Sequence, residues 1–215
     1  MRYLLRIPTY RLIVIASALG YFFFAGVRAF AMIFVVGQYG LSRGTTSALV
    51  FVVGGGALVG VIASGRISNW LFARGWLDAR VIVPGVALLL AAVLTAPAIW
   101  THSPVLGFAF LTFSSGFLAG ANPPMDAARL DIVHARLWGR AEAGRMALRG
   151  LLEALAPILF GWLSGLIGGS GGLDWTFMIA LAPVVVASAL AIPARRSYPT
   201  DVATADASAR AIAEA

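Results

Sequence analysis

The sequence predicts an all-α membrane protein with six transmembrane helices, and three observations predict it. Of 215 residues, 60% are hydrophobic and 12% charged, with a mean hydropathy of +0.89; soluble chains carry about 25% charged residues. The apolar residues fall into six runs separated by polar or glycine-rich breaks. In lipid such runs must be helical, because open strands leave backbone groups unsatisfied. The arginines gather at alternate breaks, the pattern of a multi-pass protein rather than of a nucleic-acid binder, despite the net charge of +7. There is no cysteine, which excludes disulfides, thiolate chemistry and Cys-based metal sites.

Span one is read over about Leu12–Val36, after Arg2, Arg6 and Arg11. Ala16-Ser17-Ala18 has the look of a signal-peptide cleavage site, but only four apolar residues precede it, against about 7–15 in a usual signal core. The run continues well beyond it, so the segment is read as a retained span. Span two covers about Ser47–Ser64, and a basic loop follows from Gly65 to Arg80. Span three covers Val81–Trp100, and span four Val105–Ala121 after the short turn Thr101-His102-Ser103-Pro104. Asn122-Pro123-Pro124 should end span four. Span five is read over Gly150–Ile167, a glycine-rich turn covers Gly168–Leu173, and span six is read over Trp175–Ile192. The bundle thus occupies residues 1–196, and 197–215, rich in Ala, Asp, Ser and Thr, is read as a flexible cytoplasmic tail.

Between spans four and five lies the stretch around which the chain is organised, Asn122 to Arg149. It holds five of the sixteen arginines and three of the nine acidic residues. Counted by side, fourteen arginines fall with the two termini, the 65–80 loop and this connector, against Arg43 alone on the other face. Both termini are therefore assigned to the cytoplasm. Arg28 is the sixteenth, inside span one.

The helix faces are unequal. Gly56, Gly60 and Ser64 recur every four residues on span two, as do Gly161 and Gly165 on span five and Gly116 and Gly120 on span four. Such faces let another backbone approach closely. Spans three and six are plain and uncharged, the candidates for lipid-facing helices. Polar residues collect on spans one and four: Tyr21, Arg28, Gln38, Thr112, Ser114, Ser115 and Asn122. These two spans are expected to line something wet.

This pattern resembles the second six-helix half of a major facilitator superfamily transporter, over about residues 1–196. The resemblance implies two inverted three-helix repeats. In each repeat the first helix lines a cavity, the second packs between halves and the third faces lipid. The family's loop signature falls after span two. Gly65 matches its glycine and Arg74 a later basic position, while Asn69 stands where Asp is usual and Trp70 where Arg or Lys is usual. Asn69 retains the ability to cap a helix but lacks the gating charge. The run NPPMDAARLDIVHARLWGRAEAGR is similar to the corresponding inter-helix loop of bacterial members. The resemblance implies a small-molecule carrier of a bacterial cytoplasmic membrane, with no cofactor. It implies a chain that works as a half, either as a homodimer or with a separately encoded first half.

The candidate site residues carry two readings each. Arg28, deep in span one, is an anion or polar-substrate contact, or an arginine paired structurally or reaching outward. Glu153, one turn past Arg149, is a proton-coupling site, or an i,i+4 pair. Asp126 and Asp131 with Arg129 and Arg136 form a gate latch, or a solvated network. His102 and His134 lack partners at metal-ligand spacing, and no hydrolase or metalloprotease motif occurs. A truncated non-functional fragment and a six-helix substrate-binding subunit of a larger importer remain as alternatives.

Overall fold

The computed structural model describes residues 3–169 and 171–213, so the Arg2 of the orientation argument lies outside them. Among the described residues there are eight α-helices: α1 Pro8–Tyr39, α2 Arg43–Ala73, α3 Ala79–Trp100, α4 Pro104–Gly120, α5 Asn122–Asp131, α6 Trp138–Ile167, α7 Gly172–Ala189 and α8 Ala191–Ala213. Taken with its neighbour across each short break, six of them are long and apolar enough to cross a membrane. The chain is a multi-pass all-α membrane protein. At 32 residues α1 is about 48 Å long, more than the roughly 30 Å hydrocarbon core needs.

The pairing of helices reports internal symmetry. The most extensive contacts join α2 to α4 and α1 to α6. Exchanging the first three spans with the last three turns one pair into the other. The same exchange relates α3 against α4 to α7 against α1, and leaves α3 against α7 unchanged; all three contacts are present. This is the pairing of two three-helix repeats. The first repeat is α1–α3; the second is α4 with α5, then α6, then α7.

Two packing devices hold the repeats together. Around α1, α6 and α7 lies an aromatic cluster in which Phe34 meets Phe177 edge-on at 5.0 Å and Phe160 meets Phe177 at 5.7 Å. Phe160 sits over Gly26, where a Cβ would stand 2.2 Å from its ring. The second device is glycine contact between α2 and α4, with Gly60 facing the backbone of Gly116.

Several expectations meet a different outcome. The 65–80 loop is mostly helix, since α2 runs through Ala73 and leaves only a short turn before α3. Asn69 is therefore an exposed residue inside α2, not a cap. Asn122-Pro123-Pro124 ends α4 but opens α5 at once, because proline is tolerated in a helix's first turn. Much of the polar connector is helical, with Arg140, Arg145 and Arg149 on the opening turns of α6. Span three is the most buried span, and α2 and α6 are the least buried. Its small residues, Ala87, Ala91, Ala92 and Ala98, sit in the centre of the packing; plain composition suits a helix core as well as lipid.

From Ser197 to Ala213 the segment read as a loose tail is helical. Tyr198 is fully buried and donates its hydroxyl to Asp131, which also pairs with Arg80. Asp201 accepts the backbone N–H of Thr9 at 3.0 Å, and the Thr9 and Ser197 hydroxyls meet at 2.6 Å. Arg195 reaches Asp78 at 2.5 Å. These bonds fasten the start of α8 to the ends of α1, α3 and α5, where composition had suggested no reason for order.

Candidate functional site: a polar-lipped cavity between α1, α2 and α4–α5

Between α1, α2 and the α4–α5 junction lies a cavity of about 510 Å³. Its walls are mostly apolar, and its polar groups come from Ser17, Tyr21, Ser115, Asn122 and Asp126. Ser17 and Tyr21 lie one helical turn apart and share a face of α1. Phe24 continues that face.

The α4–α5 break positions the opposite wall. Ser115 donates its hydroxyl to the carbonyl of Thr112 at 2.8 Å and of Val53 on α2 at 2.7 Å. Asn122 donates to the Ala119 carbonyl at 3.1 Å, satisfying a carbonyl at the end of α4. The next turn brings Asp126 to the cavity edge.

Below that edge is a buried ion network. Arg145 forks onto Glu142, Nε to Oε2 at 3.0 Å and Nη2 to Oε1 at 2.6 Å. Its Nη2 lies 3.5 Å from Asp126, and its Nη1 donates to the Ser17 hydroxyl at 3.4 Å. Glu142 also pairs with Arg129 at 3.0 Å. Arg129 and Arg145 are each only 7% exposed, and two donors of Arg129, Nε and Nη1, have no hydrogen-bond partner among the described residues. Two cations and two carboxylates thus tie α1, α5 and α6 at one end of the cavity. Alongside, Arg149 lays its guanidinium 3.4 Å over the Tyr21 ring and pairs with Glu153 at 3.1 Å.

Of the residues singled out in the sequence, Tyr21, Ser115, Asn122 and Asp126 come together here. Others do not. Gln38 donates to the carbonyls of Ile99 and Thr101, at 2.9 and 3.2 Å, closing the end of α3. Ser114 is buried against Thr95 and the Ala91 carbonyl, and Thr112 bonds the Phe108 carbonyl. All three satisfy backbone or neighbour groups in the bundle rather than line the cavity. Arg28 is exposed on the Tyr21–Phe24 side of α1, about 6 Å along the axis beyond Phe24. It has no ion-pair partner among the described residues.

Gly56 and Gly60 are helix-packing residues, but they face α4 of the same chain, not a face left for another half. A Cβ on Gly165 would meet nothing within 4 Å, and one on Gly161 only Phe30 at 3.6 Å. Gly65 lies against Pro123, and Arg74 stacks on Trp70 at 3.7 Å. Asp131 belongs with Arg80 and Tyr198, away from Arg129. Sequence reasoning missed Ser17, hidden in the look of a cleavage site, and the burial of Arg145. The i,i+4 spacing of Ser17 and Tyr21 was the signal available for the first.

The sequence matches no family model and no curated protein. Solved structures do match. A bacterial homolog to the human lysosomal transporter Spinster, inward-facing and unoccupied, superposes with a TM-score of 0.76 at 19% identity, over 93% of this chain and 50% of that one. The occupied form of the Spinster homolog gives 0.74 at 19% identity, over 90% and 50%. The major facilitator superfamily proton:xylose symporter XylE, bound to 6-bromo-6-deoxy-D-glucose, gives 0.68 at 12% identity, over 96% and 51%. The chain spans about half the length of each of these three structures. It has the fold of one six-helix half of a major facilitator superfamily transporter.

Proposed function

We propose that this chain is a transport unit that moves a small molecule across the membrane by alternating access, together with a second six-helix unit. The observation that carries the reading is the cavity between α1, α2 and the α4–α5 junction. It lies on the first helix of each repeat, where such carriers bind substrate near the repeat interface.

The substrate we infer carries an anionic group. Arg28 has no ion-pair partner among the described residues, stands on the cavity-facing side of α1 and lies deep in an apolar span. A charge so placed is costly unless a cavity or partner meets it. The second unit is a further copy of this chain or a separately encoded six-helix half. Its support is the exposure of α2 and α6, where Phe51 is 83% and Ile158 67% exposed. A closed dimer is the commonest symmetric solution.

The test is uptake of labelled organic anions into proteoliposomes, with particle mass measured in nanodiscs. Arg28→Ala should abolish uptake at normal membrane abundance. Cysteines at Leu58 and Trp162, both exposed, should crosslink between units; native thiols are absent. A strictly monomeric particle that transports would sink the two-unit reading. Uptake insensitive to Arg28→Ala would sink the anion contact.

A further inference from the structure

On the other side of the α2–α4 pair from the cavity runs a second hollow. It is a groove of about 720 Å³ floored by α4 and walled by α2 and α3. Its lining is apolar apart from the hydroxyls of Ser64 and Thr112, and Thr112 already donates to the Phe108 carbonyl. Along α2 it extends from Gly56 to Leu71, about 22 Å at 1.5 Å per residue. One leaflet's share of the hydrocarbon core is roughly 15 Å, so the groove is long enough for a whole acyl chain.

Beside and just beyond the groove's Leu71 end, toward the α2–α3 turn, stand two arginines and two tryptophans that flank the lining residues. Arg66 follows Val59 by seven residues and so flanks the groove's rim along α2, and Arg74, the residue that caps α2, follows Ile67 by seven and lies just beyond the Leu71 end. Both are exposed, and neither has a carboxylate within ion-pair distance among the described residues. Arg80, by contrast, is neutralised by Asp131. Arg74 is held flat on Trp70, itself 53% exposed, and Trp76 on the following turn is 60% exposed. Exposed tryptophans suit the headgroup level of a bilayer.

We propose that this groove binds one anionic phospholipid, with an acyl chain along Ile67, Val86 and Phe113 and the phosphate between Arg66 and Arg74. Charge selects this occupant over an apolar helix of a second unit, which would cover the groove but leave both arginines unpaired. The face of α2 offered to a second unit is a different one, that of Phe51 and Leu58. The proposal therefore does not depend on the transport reading, and its test involves no transport.

The full chain is placed in mild detergent with equal phosphatidylglycerol and phosphatidylcholine, and retained lipid is read by native mass spectrometry. The wild-type chain should keep one phosphatidylglycerol in preference to phosphatidylcholine, a comparison that needs no variant. R66Q/R74Q should weaken that retention roughly thirtyfold, from the contribution of each arginine near anionic lipid. Ala63 lines the groove and is exposed; Ala63→Phe should displace the lipid with both arginines intact and helix content unchanged. Equal retention of the two lipids by the wild-type chain overturns the proposal. So does retention unmoved by either variant, or a lipid-free dimer whose interface is this groove.

Discussion

Gly60 on α2 and Gly116 on α4 meet backbone to backbone: a Cβ built on Gly60 would stand 1.9 Å from the Gly116 carbonyl oxygen. Only a residue without a side chain fits, and the neighbour is a main chain that cannot swing aside. This contact sets the wall between the cavity and the apolar groove. Gly60→Ala is expected to destabilise the chain by about 1–3 kcal/mol through overpacking. Gly165→Ala, with nothing within 4 Å, should be neutral or stabilising by up to about 1 kcal/mol. Thermal unfolding in one detergent compares the two.

The Arg145 fork onto Glu142 predicts a second, graded loss. Arg145→Ala leaves the part-buried Glu142 with Arg129 alone and opens the link from α6 to Ser17 and Asp126. Losing charge-assisted bonds while the part-exposed carboxylate keeps another cation costs about 1.5–3 kcal/mol. Arg145→Lys should fall between, because an ammonium cannot reproduce the two parallel bonds. Yield of folded protein and melting temperature should rank wild type, Lys, Ala in that order.

Glu153 is engaged with Arg149, and Arg149 with the ring of Tyr21. A glutamate in an i,i+4 pair at the bundle edge is a structural partner first. Glu153→Gln is expected to change stability by less than about 1 kcal/mol. It should leave the pH dependence of any measured uptake in place. A pH profile flattened by Glu153→Gln would instead assign proton coupling to this carboxyl.

The arginine distribution predicts topology. Reporters placed at His102, in the α3–α4 turn, and after Arg196, at the start of α8, should report opposite sides of the membrane. The same side for both would remove a span from the count.

Some of this was legible in the chain and some was not. Tyr21, Ser115 and Asn122 were visible as polar residues on apolar spans and Asp126 as a charge of the connector, and the four meet in one cavity. Gln38 and Ser114 looked identical in sequence and are bonded to the bundle's own groups. Polarity marks a residue that needs a hydrogen-bond partner; it does not say whether protein or solvent supplies it. Similarly, four-residue glycine spacing marked both the α2 face, which is in tight contact, and the α6 face, which at Gly165 is open.

What the sequence by itself determined is the six-helix membrane architecture, because hydrocarbon leaves a long apolar run no other backbone state. Only the tertiary structure decided that α3 is central, that α8 is fastened through Tyr198 and Asp201, and that Arg145 is buried while Arg28 is left exposed. Local composition fixes which residues must leave water. Their partners lie more than a hundred residues apart, as Arg145 and Ser17 do, and only the packing of helix against helix brings such pairs within reach.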